Sequence, residues 1–157
     1  MYSVTKNYGQ SEGLSCCFRQ WRADSHCNLL HGYSLGVTIK INSNHLNRKN
    51  WVFDFGGFKP IRKLLHDLFD HTCLIAEDDP RLDDFKALDK KNLINLKVLQ
   101  GVGCEKFSEL IYNEVTRMIR WDEAVWVESV TVYEHESNSA TFNGKNAQVK
   151  NSQEKQQ

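Results

Sequence analysis

Cys27, His31, an Asp70-His71 pair and Glu134 are the residues whose types and settings can do chemistry in this chain. Cys27 lies in a polar turn between His26 and Asn28, where a thiol can be reached and activated. His31 follows in "CNLLHGYSLGVTIKI" and opens an alternating apolar stretch, with Tyr33 next on the same face. In Asp70-His71 a carboxylate can pair with an imidazole and set its basicity. Glu134 shares a strand face with Val130 and Val132 in "VTVYEHE", and an inward carboxylate is costly unless paired or hydrogen-bonded. Each also has an ordinary reading: a structural thiol, a hydrogen-bonded core histidine, a cation at a helix end, or a carboxylate at a wet sheet edge.

The elements that must position these residues can be read from hydrophobic spacing. Leu14, Cys16 and Phe18 alternate along a strand at about 13–20, and Tyr33, Leu35, Val37, Ile39 and Ile41 along a second at 33–42. "WVFDF" reads as a short third strand, ended by Gly56-Gly57. Phe58, Ile61, Leu65, Leu68 and Phe69 then predict a helix over 58–69, with Pro60 tolerated in its first turn. Leu82, Phe85 and Leu88 have helical spacing in a charged stretch, followed by the apolar run "INLKVLQ". A second clear helix covers about 104–119, before a last strand, "AVWVESVTVYEHE", and the short "ATF". The order argues an α+β fold: an antiparallel four-stranded sheet with two helices on one face.

The 157 residues suit one domain over 1–142, followed by a polar tail at 143–157 expected to be disordered. Lys+Arg and Asp+Glu cancel at 20 each, so no charge excess points to nucleic acid or an anionic membrane. The start lacks the apolar core of a signal peptide, and five cysteines are an odd set, so a cytoplasmic protein with reduced thiols is expected.

In order, these segments resemble the 6-pyruvoyl- and 6-carboxy-tetrahydropterin synthase superfamily, which has the tunnelling fold. "CNLLHGYSLGVTIKI" is similar to its Cys-x-x-x-His-Gly-His strand, and "WVFDFGGFKPIRKLL" to its Val-x-Asp-Phe strand-to-helix segment. "LFDHTCL" looks like its Leu-Asp-His-x-x-Leu, and "VTVYEHESNSATF" like the strand that ends in the pterin-anchoring Glu. The resemblance implies that Cys27 is a catalytic thiol, and that Asp70 and His71 are a proton-moving pair supplied by a neighbouring subunit. It implies that Glu134 binds the guanidine-like edge of a pterin, with Gly103 and Cys104 where the family has a substrate-binding Thr-Ser pair. It also implies a homo-oligomer, a trimer or hexamer closing into a β-barrel.

The family's Zn²⁺ rests on three histidines, and this chain departs from that pattern. His31 keeps one, Tyr33 stands at the second, and Cys16 or Phe18 aligns with the third. Zinc accepts thiolate, which makes Cys16 with His31 the expected metal pair. A phenol of pKa about 10 is a poor ligand, although Tyr33 can donate a hydrogen bond to a developing oxyanion. The activity implied is that of a 6-carboxy-tetrahydropterin synthase-like lyase acting on dihydroneopterin triphosphate, toward queuosine or other pterin products, with Arg19 or Arg22 available to the triphosphate. The alternatives are a metal-independent pterin side-chain aldolase or epimerase, and a non-catalytic pterin- or purine-binding oligomer.

Overall fold

The computed structural model describes residues 1–120 and 123–144. In chain order its elements are β1 (Tyr2–Tyr8), β2 (Leu14–Phe18), β3 (His31–Ser43), α1 (Phe58–Phe69), β4 (Thr72–Ala76), α2 (Leu82–Lys90), β5 (Leu96–Leu99), α3 (Cys104–Ile119), β6 (Val125–His135) and β7 (Asn138–Asn143). The α+β class and the bounds of both clear helices match the spacing of their apolar residues.

β3 is the spine of the sheet. One of its edges is shared end to end: β2 pairs with its first half and β1 with its second, joined by a 3-10 turn at Gln10–Glu12. Its other edge carries β6 antiparallel, and β7 continues the sheet beyond β6. On the far side of β2 lie β4 and then β5, both in parallel register. The sheet is therefore larger than the four antiparallel strands expected, with seven strands and two parallel pairings among the described residues.

Alternation along the strands makes two apolar faces. Leu14, Cys16 and Phe18 of β2, with Leu35, Val37, Ile39 and Ile41 of β3, are buried against α1 and α3, including Ile61, Leu65, Phe107 and Ile111. The opposite face of the β2–β4–β5 half buries Cys73 and Ile75 beneath Phe85 of α2. A third helix thus covers the reverse face, where the sequence suggested helices on one face alone.

The segment 51–55 is not a strand. Val52 and Phe53 are buried, and the Phe53 ring meets Phe58 edge-on at 5.0 Å. The Asp54 carboxylate accepts the Gly56 N–H at 2.8 Å and caps a 3-10 turn at Phe55–Gly57. These apolar residues are buried against the start of α1 rather than through strand pairing. Of the expected tail, Asn143 ends β7, and the part from 145 onward lies outside the described residues.

Candidate active site

The loop that carries Cys27 is held at both ends. Cys27 sits half-buried in a 3-10 turn, His26–Asn28, capped by Ser25, whose hydroxyl accepts the Cys27 N–H at 3.3 Å. The Cys27 carbonyl accepts the Gln20 N–H at 2.9 Å. Arg19 meets Asp79 through Nε at 2.8 Å and Nη2 at 3.3 Å, and the Asp79 side chain is fully buried. Trp21 and Arg22 both bond to Asp78, at 3.0 and 2.8 Å. The two arginines that the sequence offered to a triphosphate are thus each paired with a carboxylate.

At the start of β3, the His31 ring Nδ1 lies 2.7 Å from the Leu29 carbonyl. A carbonyl only accepts, so Nδ1 is the donor in this contact. Phe18 is the register partner of His31, and Cys16 that of Tyr33. The rings of Phe18, His31 and Tyr33 form a triangle with centroid separations of 5.2, 5.6 and 6.1 Å.

Glu134 lies at the same corner, in step with Val130 and Val132, where β6 is bulged. β6 and β7 pair Tyr133 with Ser139 and His135 with Asn138, leaving Glu134 as the extra residue. A bulge breaks the strict alternation of faces. As a result two consecutive side chains address Tyr33: the Glu134 carboxylate acts on its phenol, and the His135 ring lies 6.3 Å away. Burial, Glu134, Cys27 and Cys104 together raise the Tyr33 pKa, so its hydroxyl stays protonated and able to donate.

Cys104 opens α3 beside this group. Its thiol is bonded by the Glu134 backbone, and burial, then Glu134 and Glu105, push its pKa up to about 12. Gly103 precedes it at φ 106°, a conformation that favours glycine, and an added Cβ would stand 2.4 Å from Gln20 Nε2. Gly103 therefore lets the Cys27 loop lie against the start of α3. Cys27, His31, Tyr33, Cys104 and Glu134 form one cluster at one end of β2 and β3.

Asp70 and His71 are not part of that cluster within one chain. Asp70 ends α1 in an extended conformation, and His71 takes the left-handed conformation at φ 56°. That backbone is pinned by a 2.7 Å hydrogen bond from the His71 N–H to the Ser15 carbonyl, toward the Leu14 end of β2. His71 Nδ1 meets Asp70 Oδ1 at 2.5 Å, and its side chain is 90% exposed. The other Asp70 oxygen faces His66 Nδ1 at 3.3 Å, while His66 Nε2 lies 3.0 Å from Glu12. His66, Glu12 and His135 were not singled out in the sequence. Only the four-residue helical spacing from His66 to Asp70 could have suggested one of them.

The profile of the 6-pyruvoyl tetrahydropterin synthase family matches residues 9–145. The chain belongs to this family. Members are lyases of pterin metabolism, and the fold supports a function of that type. Among solved structures, an uncharacterised protein from Wolinella succinogenes superposes with a TM-score of 0.79 at 18% identity, covering 92% of this chain and 98% of that one. The 6-pyruvoyl tetrahydropterin synthase of Plasmodium falciparum gives 0.64 at 15% identity, over 90% and 98% of the two chains. The Caenorhabditis elegans enzyme gives 0.59 at 16%, over 92% and 94%. No curated protein matches the chain.

The family's zinc does not fit the donors present. Around the ring triangle His31 supplies one imidazole, while Phe18 has no donor atom and Tyr33 keeps its proton. Cys16, expected as the replacement ligand, is buried, and its thiol is pushed up to about 12 by burial and by Cys17 and Cys104. Among the described residues, no group of three His, Cys, Asp or Glu side chains is placed to hold a metal ion. No helix among them is long and apolar enough to cross a membrane.

Proposed function

We propose that this chain is a pterin side-chain lyase that works without the family's zinc, in sites shared between copies of the chain. The observation that carries this reading is the bulged Glu134, whose carboxylate faces a cluster holding a reachable thiol and a protonated phenol. A carboxylate there suits the two N–H groups of a pterin's amino-pyrimidine edge, a charge-assisted, two-bond pairing. The 6-side chain of a dihydropterin bound this way extends toward Cys27 and Tyr33.

The chemistry is proton transfer. His71, from a second copy, takes the proton of a side-chain hydroxyl through its bare Nε2. The carbon–carbon bond beside it breaks, releasing an aldehyde, and the bonding pair passes into the ring C=N as an enamine anion with its charge on the ring nitrogen. Cys27 then returns a proton to the carbon left on the ring, so atoms and charge balance. Tyr33 donates a hydrogen bond to oxygen as charge develops there. Loss of triphosphate, as in a 6-carboxy-tetrahydropterin synthase, finds less support, because Arg19 and Arg22 are paired with Asp79 and Asp78.

The test is turnover of 7,8-dihydroneopterin and of its triphosphate in a chelator, followed by chromatography with fluorescence detection. Aldehyde release that survives chelation and is lost in Cys27→Ala supports the proposal. Turnover that requires added zinc overturns the metal-free reading. Binding of pterin with no turnover under either condition leaves the non-catalytic reading in its place.

A further inference from the structure

Asp70 is held by two imidazoles, of which the reaction uses one. His66 lies on α1 one turn before Asp70, with its side chain 26% exposed, so filling the core does not account for it. Its ring bridges two carboxylates: Nδ1 to Asp70 Oδ2 at 3.3 Å and Nε2 to Glu12 Oε1 at 3.0 Å. Carboxylates only accept, so both ring nitrogens donate and His66 is an imidazolium. Its pKa is raised, first by the hydrogen bond to Glu12, while Glu12 and Asp70 are both held below the usual carboxylate range. Arg62, one turn earlier on α1, reaches the same Glu12 oxygen. The charged and titratable groups facing His66 are thus Arg62 from its own helix, Glu12 from the turn between β1 and β2, and Asp70, with His71 beyond it.

This arrangement matters for His71 because that ring is 90% exposed and rests on one contact, Nδ1 to Asp70 Oδ1. A base must present a bare Nε2, which requires the proton on Nδ1. A carboxylate accepting from Nδ1 enforces that tautomer only while it stays in place, the role of the carboxylate in a catalytic triad. An unrestrained aspartate rotates, and its oxygens exchange with water.

We propose that His66, itself braced by Glu12, is a positioning residue that locks the Asp70 carboxylate so that His71 keeps its proton on Nδ1. The inference rests on the reading of His71 as the proton carrier, and it assigns that site a support built from the 3-10 turn between β1 and β2 and helix α1. Glu12 belongs to this support because it fixes the far nitrogen of the bridging ring.

The experiment is ¹⁵N NMR of the full-length protein labelled at histidine, which reads the tautomer of His71 directly, alongside the pH profile of kcat. In the unmodified protein neutral His71 is protonated at Nδ1. His66→Phe releases Asp70, shifts neutral His71 toward the Nε2-protonated form and lowers kcat about 10- to 100-fold, with KM little changed. His66→Asn keeps a donor near the Nδ1 position and preserves the tautomer, whereas His66→Gln keeps the donor toward Glu12 and does not. A folded His66→Phe with an unmoved His71 tautomer overturns the proposal. If His66→Phe does not fold, the Asn and Gln pair decides, and the reverse ranking overturns it. His71→Ala separates the two readings: unchanged turnover there removes the catalytic role of His71, while a tautomer shift in His66→Phe still upholds the brace.

Discussion

Restoring two imidazoles should convert this site into a zinc site, and the ring geometry says how readily. An imidazole bound to tetrahedral zinc has its nitrogen at about 2.0–2.1 Å from the metal, which places neighbouring ligand rings about 5 Å apart, centre to centre. The Phe18–His31, His31–Tyr33 and Phe18–Tyr33 separations are 5.2, 5.6 and 6.1 Å. The backbone therefore already spaces three rings for a metal, and only two of the ring types are wrong. The perturbation is Phe18→His with Tyr33→His. Phe18 is fully buried and packs edge-on against Phe107 at 5.2 Å, so its loss costs about 2–4 kcal/mol without metal. Zinc at 100 times its dissociation constant returns about 2.7 kcal/mol. For a chain of this size that corresponds to a zinc-dependent rise in Tm of about 5–10 °C. Metal content after gel filtration and thermal melts with and without zinc provide the assay. One zinc per double-variant chain, with none in the unmodified protein or in either single variant, is expected. Stoichiometric zinc in the unmodified protein would refute the reasoning, and so would a folded double variant that binds none.

Other outcomes follow from the same structure. Glu134→Gln should weaken pterin binding by about 1.5–3 kcal/mol, the worth of hydrogen bonds to a charged group, and titration calorimetry reads it. Mixing Cys27→Ala with His71→Ala chains, each inactive alone, should recover about a quarter of full activity if sites form between copies; no recovery would place both residues in one chain's site. Glu12 and Asp70 have depressed folded pKa values, so their stabilisation is present above the usual carboxylate range and lost as pH falls through the folded values. His66 is raised, so its share is complete below the ordinary imidazole value and lost as pH rises through the folded one. The Tm gap between the unmodified protein and His66→Phe should therefore peak near pH 5–6 and close in mild alkali. Arg19→Met strands the buried Asp79 carboxylate and should cost about 3 kcal/mol, the order expected when one partner of a buried pair is removed; denaturant unfolding measures it.

Much of this was legible in the sequence, for reasons that differ by element. Helices α1 and α3 and strand β3 bury one side and expose the other, so their periods are written in the residue order. β4 escaped because all five of its residues are buried, and a short strand covered on both faces has no alternation to read. β1 escaped for the opposite reason, being mostly exposed along its length with only Tyr8 fully buried. "WVFDF" misled because apolar residues are needed as much by a turn packed under a helix as by a strand. Cys27, His31, Asp70, His71 and Glu134 could be named as candidates because each lies in a local motif. The Glu12–His66 contact joins residues 54 positions apart, and no local pattern encodes it.

The bulge at Glu134 has a consequence for the faces of β6. A strand assigns its side chains to two faces by counting odd and even, and one extra residue changes the parity of everything after it. Here that lets adjacent positions, 134 and 135, serve the same side of the sheet. Removing the bulge would put His135 back on the face opposite Val130 and Val132 and take its ring away from Tyr33. A change of one residue in length here thus alters which side chains surround Tyr33 without touching the paired strands upstream.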